Sequence, residues 1–261
     1  MKALYSAATG MMAQELNVEV ISNNIANMRT TGFKRQRAEF HDLLYSSQRR
    51  MGSVTSQAGT MVPSGVQIGS GVRTVATPRV MSQGNVNSTE NELDVAIRGE
   101  GFFVVQLPDG RTAYSRDGSF ERDANGTLVT SDGYTIEPGI TIPDNASNLT
   151  INQYGTVQAI IGTASEPTTL GQLQLARFVN KGGLDAIGDN LFLETSSSGP
   201  AQVATAGEEG YGTLLQSHLE LANVNAVTEI ADLIAAQRAY EMNARVIKGA
   251  DEMLSATANL R

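Results

Sequence analysis

Helix breakers are confined to the middle of this chain. All seven prolines lie between Pro63 and Pro200, and of 26 glycines only Gly10, Gly32 and Gly249 fall outside residues 52–212. Proline removes a backbone donor and clashes inside a helix, and glycine loses the most backbone freedom on folding. The chain therefore reads as helix, a long Gly/Pro-punctuated centre, and helix again.

Both ends carry a matching hydrophobic period. Leu4, Met11, Val18 and Ile25 recur every seven residues, with Ala8, Ile21 and Met28 widening the stripe. At the other end the same spacing joins Leu219, Ala226, Leu233, Tyr240, Ile247 and Leu254, flanked by Ile230, Ile234 and Ala244. A sustained seven-residue repeat is a coiled-coil seam. These anchors are mixed with Ala, Met, Ser and Asn, which suits close packing among many helices better than a private two-helix core.

The centre reads as β. Short apolar or alternating runs are cut by Pro-Asp-Gly, Arg-Asp-Gly, Ala-Asn-Gly and Ser-Asp-Gly, placing Gly110, Gly118, Gly126 and Gly133 at the turns of a meander. Further strands are expected in "NLTINQYGTVQAI", "LQLARFV" and "NLFLET". No strand–helix alternation appears, so a parallel nucleotide-binding sheet is not expected. The predicted fold class is α+β: long N- and C-terminal helices pairing as a coiled coil, an extended arm, and a central antiparallel β-rich domain. The expected organisation is residues 1–35 with 215–261 as the helical domain, 36–74 with 206–214 as the arm or linker, and 75–205 as the β domain.

The stretch "ISNNIANMRTTGFKRQ" spends three asparagines, Asn23, Asn24 and Asn27, near the end of the first helix. Asparagine amides compete with the backbone for hydrogen bonds. Asn23 and Asn27 should share one face while Asn24 projects sideways. Gly32 is a natural left-handed helix terminator and Phe33 an anchor for the chain beyond. Asn223, Asn225 and Asn243 repeat the device in the C-terminal helix. Such amides fit a crowded bundle in which neighbouring chains match them and set register. Lys34, Arg35 and Arg37 read as a solvated face or a carboxylate-pairing surface.

Little here points to chemistry. Cysteine is absent, which excludes thiolate metal sites, and with only His41 and His218 present His-based metal or triad chemistry has little to work with. The Gly-x-Gly pieces lack the third glycine and following helix of a phosphate cradle. "RDANGTLV" lacks the terminal glutamate of a calcium loop. No catalytic residue, cofactor or metal is expected, nor a small-molecule substrate. The net charge of −8, with +3 in residues 1–50 and −11 beyond, argues against nucleic acid. The N-terminus has no apolar run of signal-peptide length.

"SAATGMMAQELNVEVISNNIANMRTTGFKRQRAEF" and "ANVNAVTEIADLIAAQRAYEMNARVIKGADEML" closely resemble the two terminal motifs of bacterial flagellar axial proteins, the rod and hook proteins. The length, the arm "YSSQRRMGSVTSQAGTMVPSGVQIGSGVRT" and the single modest β domain resemble the distal-rod branch. The resemblance implies export through the flagellar type III apparatus without a cleaved signal. It implies helical assembly in the periplasm into a hollow, rigid basal-body shaft with the terminal helices innermost and the arm as a stiffening element. The implied partners are copies of the chain itself, neighbouring rod and hook proteins, the surrounding peptidoglycan and outer-membrane ring proteins, and the export apparatus. On this reading Leu4, Met11, Val18, Ile25, Leu219, Leu233, Tyr240, Ile247 and Leu254 are subunit-interface residues. A proximal-rod or hook subunit remains open at this point, as does a glycan-binding β domain on a helical oligomerisation stalk.

Overall fold

A computed structural model describes residues 2–49, 51–52, 64–162 and 166–259. Of the expected arm, residues 50 and 53–63 lie outside the described residues. The chain divides into two compact units, one of Met1–Ala26, Gln36–Pro78 and Asn225–Arg261, the other of Asn27–Arg35 and Arg79–Val224.

The first unit holds the two helices, α1 (Lys2–Ala26) and α2 (Ala226–Asn259). Both lack proline, and each holds one glycine, Gly10 or Gly249. Two antiparallel ribbons complete this unit: Glu39–Asp42 pairs with Val72–Ala76, and Tyr45–Arg49 with Val66–Gly69. The sequence reading had seen only an extended, polar segment here. A two-stranded ribbon needs few apolar residues, so periodicity gives it away poorly. The Thr9 hydroxyl accepts a hydrogen bond from the Val72 amide at 3.3 Å, tying the first ribbon to α1.

The second unit is antiparallel β throughout. Its largest sheet runs Asp185–Gly188, Leu191–Leu193, Thr112–Ser115, Phe102–Gln106, Thr135–Ile136, Leu128–Thr130 and Phe120–Arg122, while Gln174–Arg177 also pairs with Phe102–Gln106 and with Gln202–Thr205. A second sheet joins Ala146–Ile151, Thr156–Ile161 and Thr168–Gln172. Two short pairs, Val95–Arg98 with Thr213–Gln216 and Val86–Ser88 with His218–Glu220, bring the end of the unit back to its beginning. One face of Phe102–Gln106 buries Phe103 among Val95, Ile97, Phe120, Leu175 and Leu214. The other face buries Phe102 with Tyr114, Phe178 and Phe192, and Tyr114 meets Phe178 edge-on at 4.7 Å. The combination of two terminal helices and a central antiparallel β region is the expected α+β class.

The expected strands are present, but the meander is not a simple one. Thr112–Ser115 pairs onward with Leu191–Leu193 rather than with Phe120–Arg122, and Thr135–Ile136 returns to Phe102–Gln106. Gly110, Gly126 and Gly133 take positive φ at hairpin turns, as the Asp-Gly and Asn-Gly pairs demand. Gly118 serves otherwise: a Cβ there would lie 1.7 Å from the Val95 carbonyl oxygen. That close approach lets the chain cross to the next strand.

Gly32 carries a double constraint. Its φ is +68°, and a Cβ would lie 2.7 Å from the Asp117 nitrogen and 2.8 Å from the Arg116 carbonyl carbon. Its amide donates to the Glu220 carbonyl at 2.8 Å. Gly32→Ala combines left-handed strain with backbone overlap and should destabilise this unit by about 2–4 kcal/mol. Urea unfolding followed by tyrosine fluorescence measures the loss.

Candidate functional site

The helices of the first unit pack antiparallel. Asn24 Nδ2 donates to Glu229 Oε2 at 3.1 Å. A Cβ on Gly10 would lie 2.8 Å from Asn243 Nδ2. The contacts are spaced by 14 residues on each helix but run in opposite directions, which sets one register along the pair. The α2 residues turned inward are small or polar: Glu229, Ala236 and Ala250 are buried and Asn243 half-buried. They too recur every seven residues, but they are not the seam expected from the large apolar side chains. Small side chains allow close approach, so the bulkier heptads flank the contact instead.

Leu4, Met11, Val18, Ile25, Leu233 and Ile247 are accordingly half-buried, while Tyr240 and Leu254 stay 43% and 44% exposed. One residue from each expected seam, Val18 and Tyr240, lines a groove of 410 Å³ together with Glu15, Glu19, Gln237 and Glu241. Leu219 departs from the expectation. It lies in strand His218–Glu220, paired opposite Asn87, and α2 begins only at Ala226.

Asn24, Asn27, Asn223 and Asn225 make hydrogen bonds within their own chain. Asn24, placed to the side in the sequence reading, is the buried one at 1% exposure. It donates to the Gln36 carbonyl at 2.9 Å as well as to Glu229, and accepts from the Gln36 amide at 2.9 Å. A full set of amide bonds explains its burial. Asn27 accepts from the Thr30 hydroxyl at 3.2 Å within the second unit, and Asn23 is exposed. Asn223 and Asn225 precede α2 rather than lie in it. Asn223 accepts from the Arg35 amide at 2.8 Å and donates to the carbonyls of Val80 and Ser82 at 2.7 and 3.0 Å. Asn225 caps α2, its Oδ1 accepting from the amides of Val227 at 3.0 Å and Thr228 at 3.3 Å. Asn225→Ala should cost about 1 kcal/mol and fray the first turn of α2, read as faster amide exchange at Val227 and Thr228.

Sequence reasoning missed an ionic cluster at the heart of the second unit. Phe33 and Lys34, the latter 1% exposed, follow Gly32 into the interior. Lys34 Nζ lies 2.5 Å from Glu220 Oε1 and donates to the Ser82 carbonyl at 2.9 Å. Arg116 Nη1 lies 3.2 Å from Glu220 Oε2, and its Nη2 donates to the Gly99 carbonyl at 2.6 Å. The Gly84 amide donates to Glu220 Oε1 at 2.8 Å. Lys34 is thus no solvated cation. Burial pushes its ammonium below the usual lysine range and the Arg116 charge adds to this, while Glu220 pulls the other way. Burial likewise lowers Arg116, against the pull of Glu220. The guanidinium also sits 5.5 Å from the centre of the Phe102 ring. Of the basic trio, Arg37 fits the pairing surface expected of it, with its Nη2 2.6 Å from Glu39 at the surface. Lys34 could not be told from Arg37 by sequence because its carboxylate lies 186 residues away.

Among the described residues no group of three or more His, Cys, Asp or Glu could hold a metal ion. The arrangement offers a buried ionic cluster in the second unit and, in the first, a helix pair with apolar flanks left half-open.

Comparison with known proteins finds three matching stretches. Residues 4–34 match the family described as flagella basal body rod protein, residues 96–159 the flagellar hook protein FlgE/F/G D1 domain, and residues 215–260 the flagellar basal body rod FlgEFG protein C-terminal. The chain is 56% identical over 261 residues to the flagellar basal-body rod protein FlgG of Caulobacter vibrioides, covering 100% of both. It is 46% identical to that of Borreliella burgdorferi and 37% to that of Bacillus subtilis, each across 100% of this chain and 99% of the relative. The flagellar hook protein FlgE of Helicobacter mustelae is 40% identical over 138 residues, 52% of this chain and 30% of the relative.

Proposed function

The chain belongs to the flagellar basal-body rod protein family, and from that premise we propose that it is a distal-rod subunit that polymerises helically into a hollow, rigid shaft passing torque to the hook. Its role is mechanical rather than catalytic. The observation that carries this reading is the helix pair. Its close contact is made by Gly, Ala and Asn, so two heptads of larger side chains are left half-open along the flanks. A monomer gains nothing from such a face, whereas a helical polymer buries it against the next copy.

On this reading residues 1–35 with 215–261 form the inner tube, 36–74 with 206–214 the stiffening arm, and 75–205 the outer domain. The interface set is Leu4, Met11, Val18, Ile25, Leu233, Tyr240, Ile247 and Leu254, with Leu219 acting from its strand. Asn24, Asn223 and Asn225 set register indirectly by fixing where each helix starts and stops. The helices pair as a coiled coil in the polymer and complete their order on assembly, and torque passes through many weak contacts in parallel. The partners are further copies, adjoining rod and hook proteins, the peptidoglycan and outer-membrane rings around the shaft, and the type III apparatus that delivers the chain into the periplasm. Full-length similarity to rod proteins favours this over a hook subunit, since the chain spans only 30% of the hook relative.

Deleting the gene for this chain and purifying basal bodies tests the reading. Basal bodies lacking the distal part of the rod, restored by the wild-type chain, are expected. Complete rods without it would overturn the proposal.

A further inference from the structure

The groove beside the helix pair has a charge pattern that selects its occupant. Val18 and Tyr240 line it, and Glu15 and Glu19 stand one helical turn apart along the α1 side. Both glutamates are exposed, and among the described residues neither lies in an ion pair. An apolar groove beside unpaired carboxylates calls for a helix that is apolar and basic on one face.

The same chain carries such a face. Val227 and Ile234 are 79% and 52% exposed on α2, and at seven-residue spacing they share one side of the helix. Arg238 and Arg245 lie beside them, their side chains 71% and 74% exposed. Glu241 engages both arginines, at 3.1 and 3.7 Å, so one carboxylate serves two cations and leaves basic charge over. At such exposure those intrahelical pairs are weak and readily exchanged.

We propose that the acidic groove of one copy receives the outward α2 face of the next, with Arg238 and Arg245 of that second copy set against Glu15 and Glu19. The two surfaces adjoin at Glu241 and otherwise use different residues, so the contact is heterologous and propagates along an open helix instead of closing a dimer. The apolar residues provide the burial, and the charges set the register and reject a helix seated the wrong way round. The inference rests on the self-assembly proposed above and deepens it by naming the two faces.

The chain has no cysteine, so an engineered pair reports without background. A chain carrying Glu19→Cys and Arg238→Cys is expressed in place of the wild type, and purified basal bodies are mildly oxidised. A ladder of covalent multimers of the chain, reversed by thiol and absent from either single variant, is the expected result. The chain present in basal bodies with no ladder would overturn this inference while sparing the assembly reading. Basal bodies that contain wild-type rods without this chain would overturn both. Charge exchange is the second arm. Glu19→Arg or Arg238→Glu alone should reduce rod-bearing basal bodies at least tenfold, and the two together should restore them. Equal loss in the double variant, with circular dichroism showing both single variants folded, would also overturn it.

Discussion

Replacing Glu220 with Ala should destabilise the β unit by about 3–5 kcal/mol, because it leaves two buried cations facing each other without their carboxylate. Glu220 side-chain exposure is 0%, and those of Lys34 and Arg116 are 1% and 4%, so solvent cannot take over its role. Lys34→Met should cost less than Glu220→Ala, since it leaves the Arg116–Glu220 pair electrically balanced. Arg37→Ala, which breaks an exposed pair, should stay within about 0.5 kcal/mol. Urea unfolding of the three purified variants gives the ranking. Equal losses for Lys34→Met and Glu220→Ala would show that the cluster acts through packing rather than charge. The cluster joins residues just after α1 to residues just before α2 through one carboxylate. A loss here therefore loosens residues 27–35 from residues 79–224 within the second unit.

Val18→Asp should abolish rod assembly, at least a hundredfold by recovery of complete basal bodies, while leaving the β unit folded. Val18 is half-buried and lines the groove, so the monomer tolerates a carboxylate there at small cost. An assembly that covers Val18 must bury that charge beside Glu15 and Glu19, repeated in every copy. Leu233→Asp should act likewise. Near-native thermal unfolding of the β unit, together with loss of rods, is the expected pair of results. Normal rods from Val18→Asp would remove Val18 from the interface.

The confinement of proline and glycine located both helices, because each breaker has a local steric effect that needs no tertiary information. Gly110, Gly126 and Gly133 were legible as turns for the same reason, since Asp-Gly and Asn-Gly meet a local φ requirement. The partner of each strand was not legible. Thr112–Ser115 meets Leu191–Leu193 from far along the chain, and no turn residue announces such a pairing. The inward seam of α2 was misread because hydrophobic periodicity weights large side chains, whereas the close helix contact is set by Gly10, Ala236 and Ala250. The asparagines were singled out as costly in a helix, but the intrachain partners of Asn24 and Asn223 were not legible. Asn24 binds Gln36 only because the chain turns back after Gly32 and Phe33, and a linear pattern does not show that return. Lys34 shows the same limit, for its burial depends wholly on Glu220 and Arg116.

The central claim is that the terminal helices of this chain build a tube by covering each other's half-open flanks. Electron cryo-microscopy of basal bodies purified from cells expressing the chain tests it most directly, at a resolution that traces side chains. The expected map places α1 and α2 innermost, with Val18 and Tyr240 of each copy buried against a helix of its neighbour. A rod whose inner tube leaves that groove facing solvent, or whose innermost wall is built by another chain, would contradict it.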